Sequence, residues 1–276
     1  MSTRPVTAIV VTYFTGPRLR ECLYALIGCP DISTILIVDN GNPPGMTEWI
    51  KTFAAARARV QLISPAANLG FGKAINLACK QVAEGDLLFV NPDAVIKRDA
   101  PAELKKAASS LDRPWIAGGK IFDLVGAEGR GGRRRKLTLW RALASSAGLD
   151  TWNLNRKPSP AGPVKVGAVS GALMLTDTES FAQLGGFDED YFLHVEDVDL
   201  CRRAWEAGGE VVYNPAAGAL HYGSTSEVSS KFVARHKAES LVHYFRKFSG
   251  NPVSRSLVAG VLAPLLKWLL PLRTRD

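Results

Sequence analysis

The sequence predicts an α/β fold: a parallel sheet covered by helices on both faces, with a helical extension at the C-terminus. Three observations carry this reading. Short β-branched runs recur that are apolar almost without interruption, as strands buried on both faces require. Helical stretches with one apolar face separate them. The 276 residues are enough to bury a large core.

The elements follow in order. "VTAIVVTY" (6–13), "STILIVDN" (33–40), "VQLIS" (60–64) and "DLLFVN" (86–91) read as strands. Arg18–Ile27, Thr47–Ala58 and Gly72–Ala83 read as the crossover helices between them, right-handed by rule. Asp99 is placed as the N-cap of a helix through Ser110. After "WIAGGKIF" (115–122) the pattern changes: residues 125–163 are rich in Gly, Arg, Pro and Ser and read as a long mobile basic loop. Regularity returns with "VKVGAVSGALMLT" (164–176), a helix from Asp177, the turn "LGGFDEDYF", a helix after "FLHV", then "EVVYNP", "GALHYGSTS" and a helix across Ser229–Phe248.

The formal charge of +8 is confined. Residues 126–137 carry a net +4 and residues 254–276 a net +3, seven of the eight charges. Such localisation points to an anionic surface or substrate and away from a nucleic-acid groove, and no aromatic-rich RNA signature accompanies it. Cys22, Cys29, Cys79 and Cys201 show no metal or redox spacing, which fits reduced packing residues in a cytoplasmic protein. "MSTRPVTAIVVTY" lacks the apolar core of a signal peptide. The apolar stretch 257–272, flanked by basic residues, carries Lys267 and Trp268 and is short for a bilayer span. It reads as an amphipathic tail (254–276) lying on an anionic membrane. The alternative docks it on the protein's own core or on a second copy, giving a homo-oligomer.

Candidate functional residues gather where chains leave strands, since ligands of open α/β sheets bind beyond the carboxyl ends. Asp39 ends "ILIVDNG" and Asp93 follows "LLFVNPD"; singly, each is also a good turn residue. "NLGFGKAIN" (68–76) opens a helix with glycines and Lys73, and its backbone N–H groups could meet a phosphate. "FLHVEDVDLCRRAWEAGG" (192–209) packs three acids into a first helical turn. At about 100° per residue, Val198, Cys201, Ala204, Trp205 and Gly208 form the apolar stripe. Glu196, Asp199, Arg202, Arg203 and Glu206 fall on the opposite face, where Arg202 and Arg203 would pair with Glu206 and Asp199 in solvent. Asp197 lies at the edge of the stripe and points inward. First-turn acids favour the helix dipole without any function, so the wheel alone leaves Asp197 open.

Taken in order, "VVTYF", "IVDNG", "NLGFGKAIN", "FVNPDAVI", "SGALMLT", "LGGFDEDYFLHVEDVDLCRRAWEAGG" and "HYGSTS" resemble glycosyltransferase family 2, inverting enzymes with an α/β GT-A (Rossmann-like) fold whose mixed, mainly parallel sheet is flanked by helices. The "NPD" and "FLHVEDVDLC" forms and the Arg-rich loop most resemble bacterial rhamnosyltransferases, which use a dTDP-linked sugar and commonly a polyprenyl-diphosphate-linked acceptor. The resemblance implies a GT-A domain over 1–253, with a nucleotide-sugar half (1–124) and an acceptor half (164–253). It implies that Tyr13 and Asp39 bind the base and ribose, and that Asn68, Gly70, Lys73 and Asn91 line the donor pocket, with Gly171 and Ala172 flanking the sugar. Asp93 and His221 would hold Mg2+ or Mn2+, Asp197 would be the base, and Glu196 would orient the acceptor or Asp197. Asn91 stands where the family commonly has the first acid of a D-x-D motif, which makes Asp93 the essential ligand. With the amphipathic tail, the expected place is cytoplasmic, peripherally attached to the inner face of the plasma membrane. Competing expectations are a UDP-hexose or UDP-galactofuranose donor, a catalytically silent nucleotide-sugar or membrane module, and a nucleic-acid binder using the Arg-rich loop.

Overall fold

The computed structural model describes residues 4–129, 131–146, 158–223 and 229–250, with Val258, Gly260 and Pro264 beyond them. The first half alternates strand and helix: β1 (Val6–Thr12), α1 (Arg18–Gly28), β2 (Ile32–Asp39), α2 (Pro44–Ala55), β3 (Val60–Ile63), α3 (Phe71–Cys79) and β4 (Asp86–Val90). A short β5 (Ala94–Ile96), α4 (Ala100–Ala108) and β6 (Trp115–Phe122) follow. Then come β7 (Arg133–Arg134), α5 (Leu139–Ser146), β8 (Val164–Lys165), β9 (Ala168–Val169), β10 (Leu173–Asp177) and α6 (Thr178–Gln183). The chain continues with α7 (Glu196–Glu206), β11 (Glu210–His221) and α8 (Ser230–Lys247).

The four expected N-terminal strands form, all parallel, in the order β3-β2-β1-β4. Their neighbour β10 enters antiparallel to β4 and to β6, and β6 then runs parallel to β11. The sheet is therefore mixed. Successive β1 residues face opposite cores, Ile9 and Val11 on one side, Ala8 and Val10 on the other, so both faces are covered. "EVVYNP" and "GALH" are one strand, β11, whose register against β6 shifts between Asn214 and Gly218.

Three local expectations change. α2 begins at Pro44, not Thr47, because proline is well placed in a first helical turn. Asp99 sits at the N-cap of α4 without a side-chain capping bond, whereas Asp177 does cap α6, accepting from the Ser180 N–H at 2.7 Å. In the basic segment 125–163, the described residues carry structure of their own: β7 pairs antiparallel with β9, and α5 follows. The tail 254–276 lies outside the described residues apart from the three named. Of these Val258 is buried in a hydrophobic core, and Gly260 and Pro264 are exposed. All four cysteines are free thiols.

Candidate active site

The carboxyl ends of β1, β2 and β4 supply the first wall. Asp39 accepts at Oδ1 from the Gly41 and Asn42 N–H groups (3.2 and 3.0 Å) and from Asn42 Nδ2 (2.8 Å), and at Oδ2 from the Thr47 hydroxyl (2.7 Å). Burial works to raise its pKa, yet these bonds prevail and hold the carboxyl below its ordinary value. Asp39 thus fixes the "DNGN" turn, against which the Tyr13 ring packs at Gly41; a Cβ there would lie 3.4 Å from Tyr13 Cε2.

Asn40, which the sequence reading passed over, ties that turn to the next loop. Its Nδ2 donates to Asn68 Oδ1 at 2.7 Å and its Oδ1 accepts from the Leu69 N–H at 2.9 Å. Asn68 Oδ1 also accepts from the Gly70 N–H at 2.9 Å. Gly70 has φ +79°, and a Cβ there would sit 2.5 Å from the Phe192 carbonyl oxygen, so only glycine fits this approach. The Phe71 N–H donates to the same oxygen at 3.1 Å, which docks the loop onto the segment leading into α7. Lys73 is exposed and pairs with Glu189 at 3.8 Å.

Asn91, Asp93 and His221 converge, although Asn91 and His221 lie 130 residues apart in sequence. His221 Nε2 is 3.0 Å from Asp93 Oδ1 and 3.2 Å from Asn91 Nδ2. The antiparallel pairing of β11 with β5, which sets His221 opposite Ala94, creates this convergence.

The turn Ser170–Ala172 joins this cluster to α7. Its Ala172 carbonyl accepts from the Asn91 N–H at 3.2 Å, and the Gly171 N–H donates to Asp197 Oδ2 at 3.2 Å. Asp197 Oδ1 accepts from the Val198 N–H at 2.8 Å. Just upstream, His194 and Val195 both have positive φ (68° and 72°), a strained conformation for side-chain-bearing residues that orients the start of α7. Burial, helped by the nearby Lys237 charge, lowers the His194 pKa to about 4, so its imidazole is neutral at physiological pH.

The wheel's solvated face is solvated only in part: Glu206 is exposed, but two of its acids are not. Glu196 is 6% exposed and Asp199 0%; on Asp199 pack Lys247 of α8 and Tyr191 of the turn before α7, which a single helix cannot show. Arg202 and Arg203 do pair with Glu206 and Asp199 (2.7 and 2.5 Å), but the second pair is buried at its acid. Glu196 Oε2 is buried without a hydrogen-bond partner among the described residues. Burial first, and the Asp197 charge second, raise the Glu196 pKa to about 8, so the group is largely a neutral acid at pH 7.

Arg134 was counted in the sequence only as part of a charge run. In the structure its Nη1 lies 3.8 Å from Asp197 Oδ1. The sequence carried no signal for this: the segment reads as a loop, and only the pairing of β7 with β9 turns Arg133 and Arg134 to opposite faces. A separate group, Asp188, Asp190 and His243, has ligand atoms within 4.8 Å of one another, but Lys247 already pairs with Asp188 at 2.6 Å. No helix among the described residues is long and apolar enough to cross a membrane.

A mixed sheet whose strand ends gather carboxylates, an imidazole and a glycine-gated loop is the architecture of a nucleotide-sugar transferase, and comparison agrees. Residues 4–241 match the family described as glycosyltransferase like family 2. The chain belongs to glycosyltransferase family 2 and is a glycosyltransferase. It is 30% identical, over 253 residues, to N-acetylglucosaminyl-diphospho-decaprenol L-rhamnosyltransferase of Mycobacterium tuberculosis, covering 83% of this chain and 81% of that protein. It is 28% identical over 164 residues to rhamnosyltransferase WbbL of Escherichia coli, covering 55% and 61%. Among solved structures it resembles the Pyrobaculum calidifontis mannosyltransferase PcManGT in complex with GDP-Man and Mn2+ (TM-score 0.61, 17% identity, 98% of this chain and 74% of that one). It also resembles GalNAc-T7 with UDP, GalNAc and Mn2+ (TM-score 0.65, 17% identity), of which it spans 53% while 96% of this chain is covered. The fold is GT-A.

Proposed function

We propose that the protein is an inverting rhamnosyltransferase that moves L-rhamnose from dTDP-rhamnose to a hydroxyl of a polyprenyl-diphosphate-linked glycan, at the inner face of the plasma membrane. One observation carries this reading: the Ser170–Ala172 turn joins the Asn91–Asp93–His221 cluster to Asp197. In this reading the donor diphosphate and the general base would be linked through one turn. The M. tuberculosis relative supports the choice of donor sugar and acceptor.

In this reading Tyr13 and the Asp39 turn hold the nucleoside, and Asn68, Gly70, Lys73 and Asn91 line the donor pocket, with Gly171 and Ala172 beside the sugar. Asp197 removes the acceptor proton as the hydroxyl attacks the anomeric carbon from the face opposite the leaving diphosphate. Its inward aim is set by the Gly171 N–H. Glu196, neutral near pH 7, can donate a hydrogen bond to the acceptor. The carboxylate of Asp93, the imidazole of His221 and the amide of Asn91 form an oxygen-and-nitrogen donor set that fits Mn2+ or Mg2+. Bound there, the ion would offset charge developing on the leaving diphosphate. The basic tail 254–276 would hold the enzyme on the anionic membrane that carries its acceptor.

The test incubates wild type and Asp197→Asn with dTDP-rhamnose, UDP-hexoses and UDP-galactofuranose plus a polyprenyl-diphospho-N-acetylglucosamine, with and without Mn2+, reading product mass. Transfer from dTDP-rhamnose is expected, with a loss of roughly a thousandfold in the variant while donor still binds. Transfer from a UDP-sugar alone overturns the donor; near-normal turnover by Asp197→Asn overturns the base.

A further inference from the structure

The cations of the basic segment have separate employments. Arg133 turns inward: its guanidinium holds Glu128 with two bonds (2.7 and 3.1 Å) and lies 5.4 Å from the Tyr213 ring centre. The Lys136 ammonium sits 3.5 Å over the Trp205 ring, and Arg141 donates to the Lys136 carbonyl at 2.6 Å. Arg134, on the opposite face of β7, is the one of these four that reaches the carboxylates at the head of α7.

Its place there is built. Gly131 has φ +88°, a conformation that favours glycine, and the guanidinium packs against it: a Cβ there would lie 2.6 Å from Arg134 Nη2. The Gly167 N–H donates to the Arg134 carbonyl at 3.0 Å, and a Cβ on Gly167 would meet the Lys136 nitrogen at 2.1 Å. The strand is therefore pressed against its partner at the residue that faces the site. The Arg134 side chain keeps 28% of its surface open, whereas the Asp197 side chain keeps 11%.

An acceptor of the proposed class brings a difficulty to this spot. Its reacting hydroxyl must approach Asp197, and its anomeric diphosphate comes with it, one sugar ring away. The Asp197 carboxylate would repel that dianion. We propose that Arg134 is the acceptor-phosphate residue: its fork grips the sugar-proximal phosphate of a glycosyl diphospholipid while its other edge faces Asp197. Planar, bidentate recognition of phosphate is what a guanidinium does better than an ammonium. This assignment rests on the transferase reading above.

The experiment compares two acceptors, farnesyl-diphospho-N-acetylglucosamine and octyl N-acetylglucosaminide, which share the sugar but not the diphosphate. In wild type the ratio of their kcat/KM values should favour the diphosphate. Arg134→Gln should lower that ratio by about tenfold or more. Arg134→Lys, which keeps the charge but loses the fork, should lower it severalfold and serves if the Gln variant does not fold. An unchanged ratio, with both acceptors slowed together and a shifted pH profile, overturns the proposal and makes Arg134 a positioning residue for Asp197. A folded wild type that uses neither acceptor overturns the transferase reading, and this assignment with it.

Discussion

The fully buried carboxylate of Asp199 is met one helical turn later by the guanidinium of Arg203, Nε to Oδ1 at 2.5 Å. Lys247 of α8 reaches the other oxygen at 2.7 Å, and the Tyr191 hydroxyl donates to it at 3.1 Å. Asp199 therefore fastens α7 to α8 and to the turn before it, two residues from Asp197. Asp199→Ala leaves two cations facing a vacated partner and should cost about 3 kcal/mol, read from urea unfolding.

Gly70→Ala should disturb the donor loop more than its size suggests. The positive φ and the 2.5 Å approach to the Phe192 carbonyl both oppose a methyl group. A stability loss of about 2 kcal/mol is expected. Calorimetry should show weaker dTDP-rhamnose binding; unchanged affinity would remove the loop from the donor site.

Asp93→Asn and His221→Ala should each weaken Mn2+ binding at the strand-end cluster, by about tenfold or more. Electron paramagnetic resonance titration reads this without turnover. If instead Asp188→Asn weakens it and these two do not, the ion sits by His243.

Glu196 gives a pH dependence whose sign can be worked out. Its pKa of about 8 in the folded protein lies above the ordinary 4.5. Between those values the folded state holds a proton that the unfolded state has released, so this group makes stability fall as pH rises through the window. Glu196→Gln removes the fall. The variant should lose less stability than wild type between pH 5 and pH 8, by about 1 kcal/mol or more, read by thermal unfolding across that range.

The parallel half of the fold was legible because its signal is local. Runs such as "ILIVD" declare a strand buried on both faces, and each is followed by its own helix. The antiparallel entry of β10 between β4 and β6 was not legible, since it depends on pairing between distant segments. The same divide runs through the site. Asp93, Asp197 and His221 were singled out as candidates from ordered motifs, and the structure brings Asp93 and His221 to 3.0 Å. Asp199 was misplaced in solvent because a wheel describes one helix and cannot see α8. Arg134 was lost in a sum of charges, because the two-residue strand that sets it apart from Arg133 exists only through its pairing with distant β9.

The irregularity in β11 decides which side chains its far end offers. From Asn214 to Gly218 the strand advances four residues while β6 advances one, from Gly119 to Lys120. Three residues are thus spliced in, an odd number, and an odd insertion inverts the parity of everything downstream. With an even number, the place opposite Ala94 would pass to a neighbour of His221 and the imidazole would turn to the other face. The identity of a candidate ligand at one end of the strand is therefore written in the length of a kink several residues before it, where insertions and deletions of a single residue should be poorly tolerated.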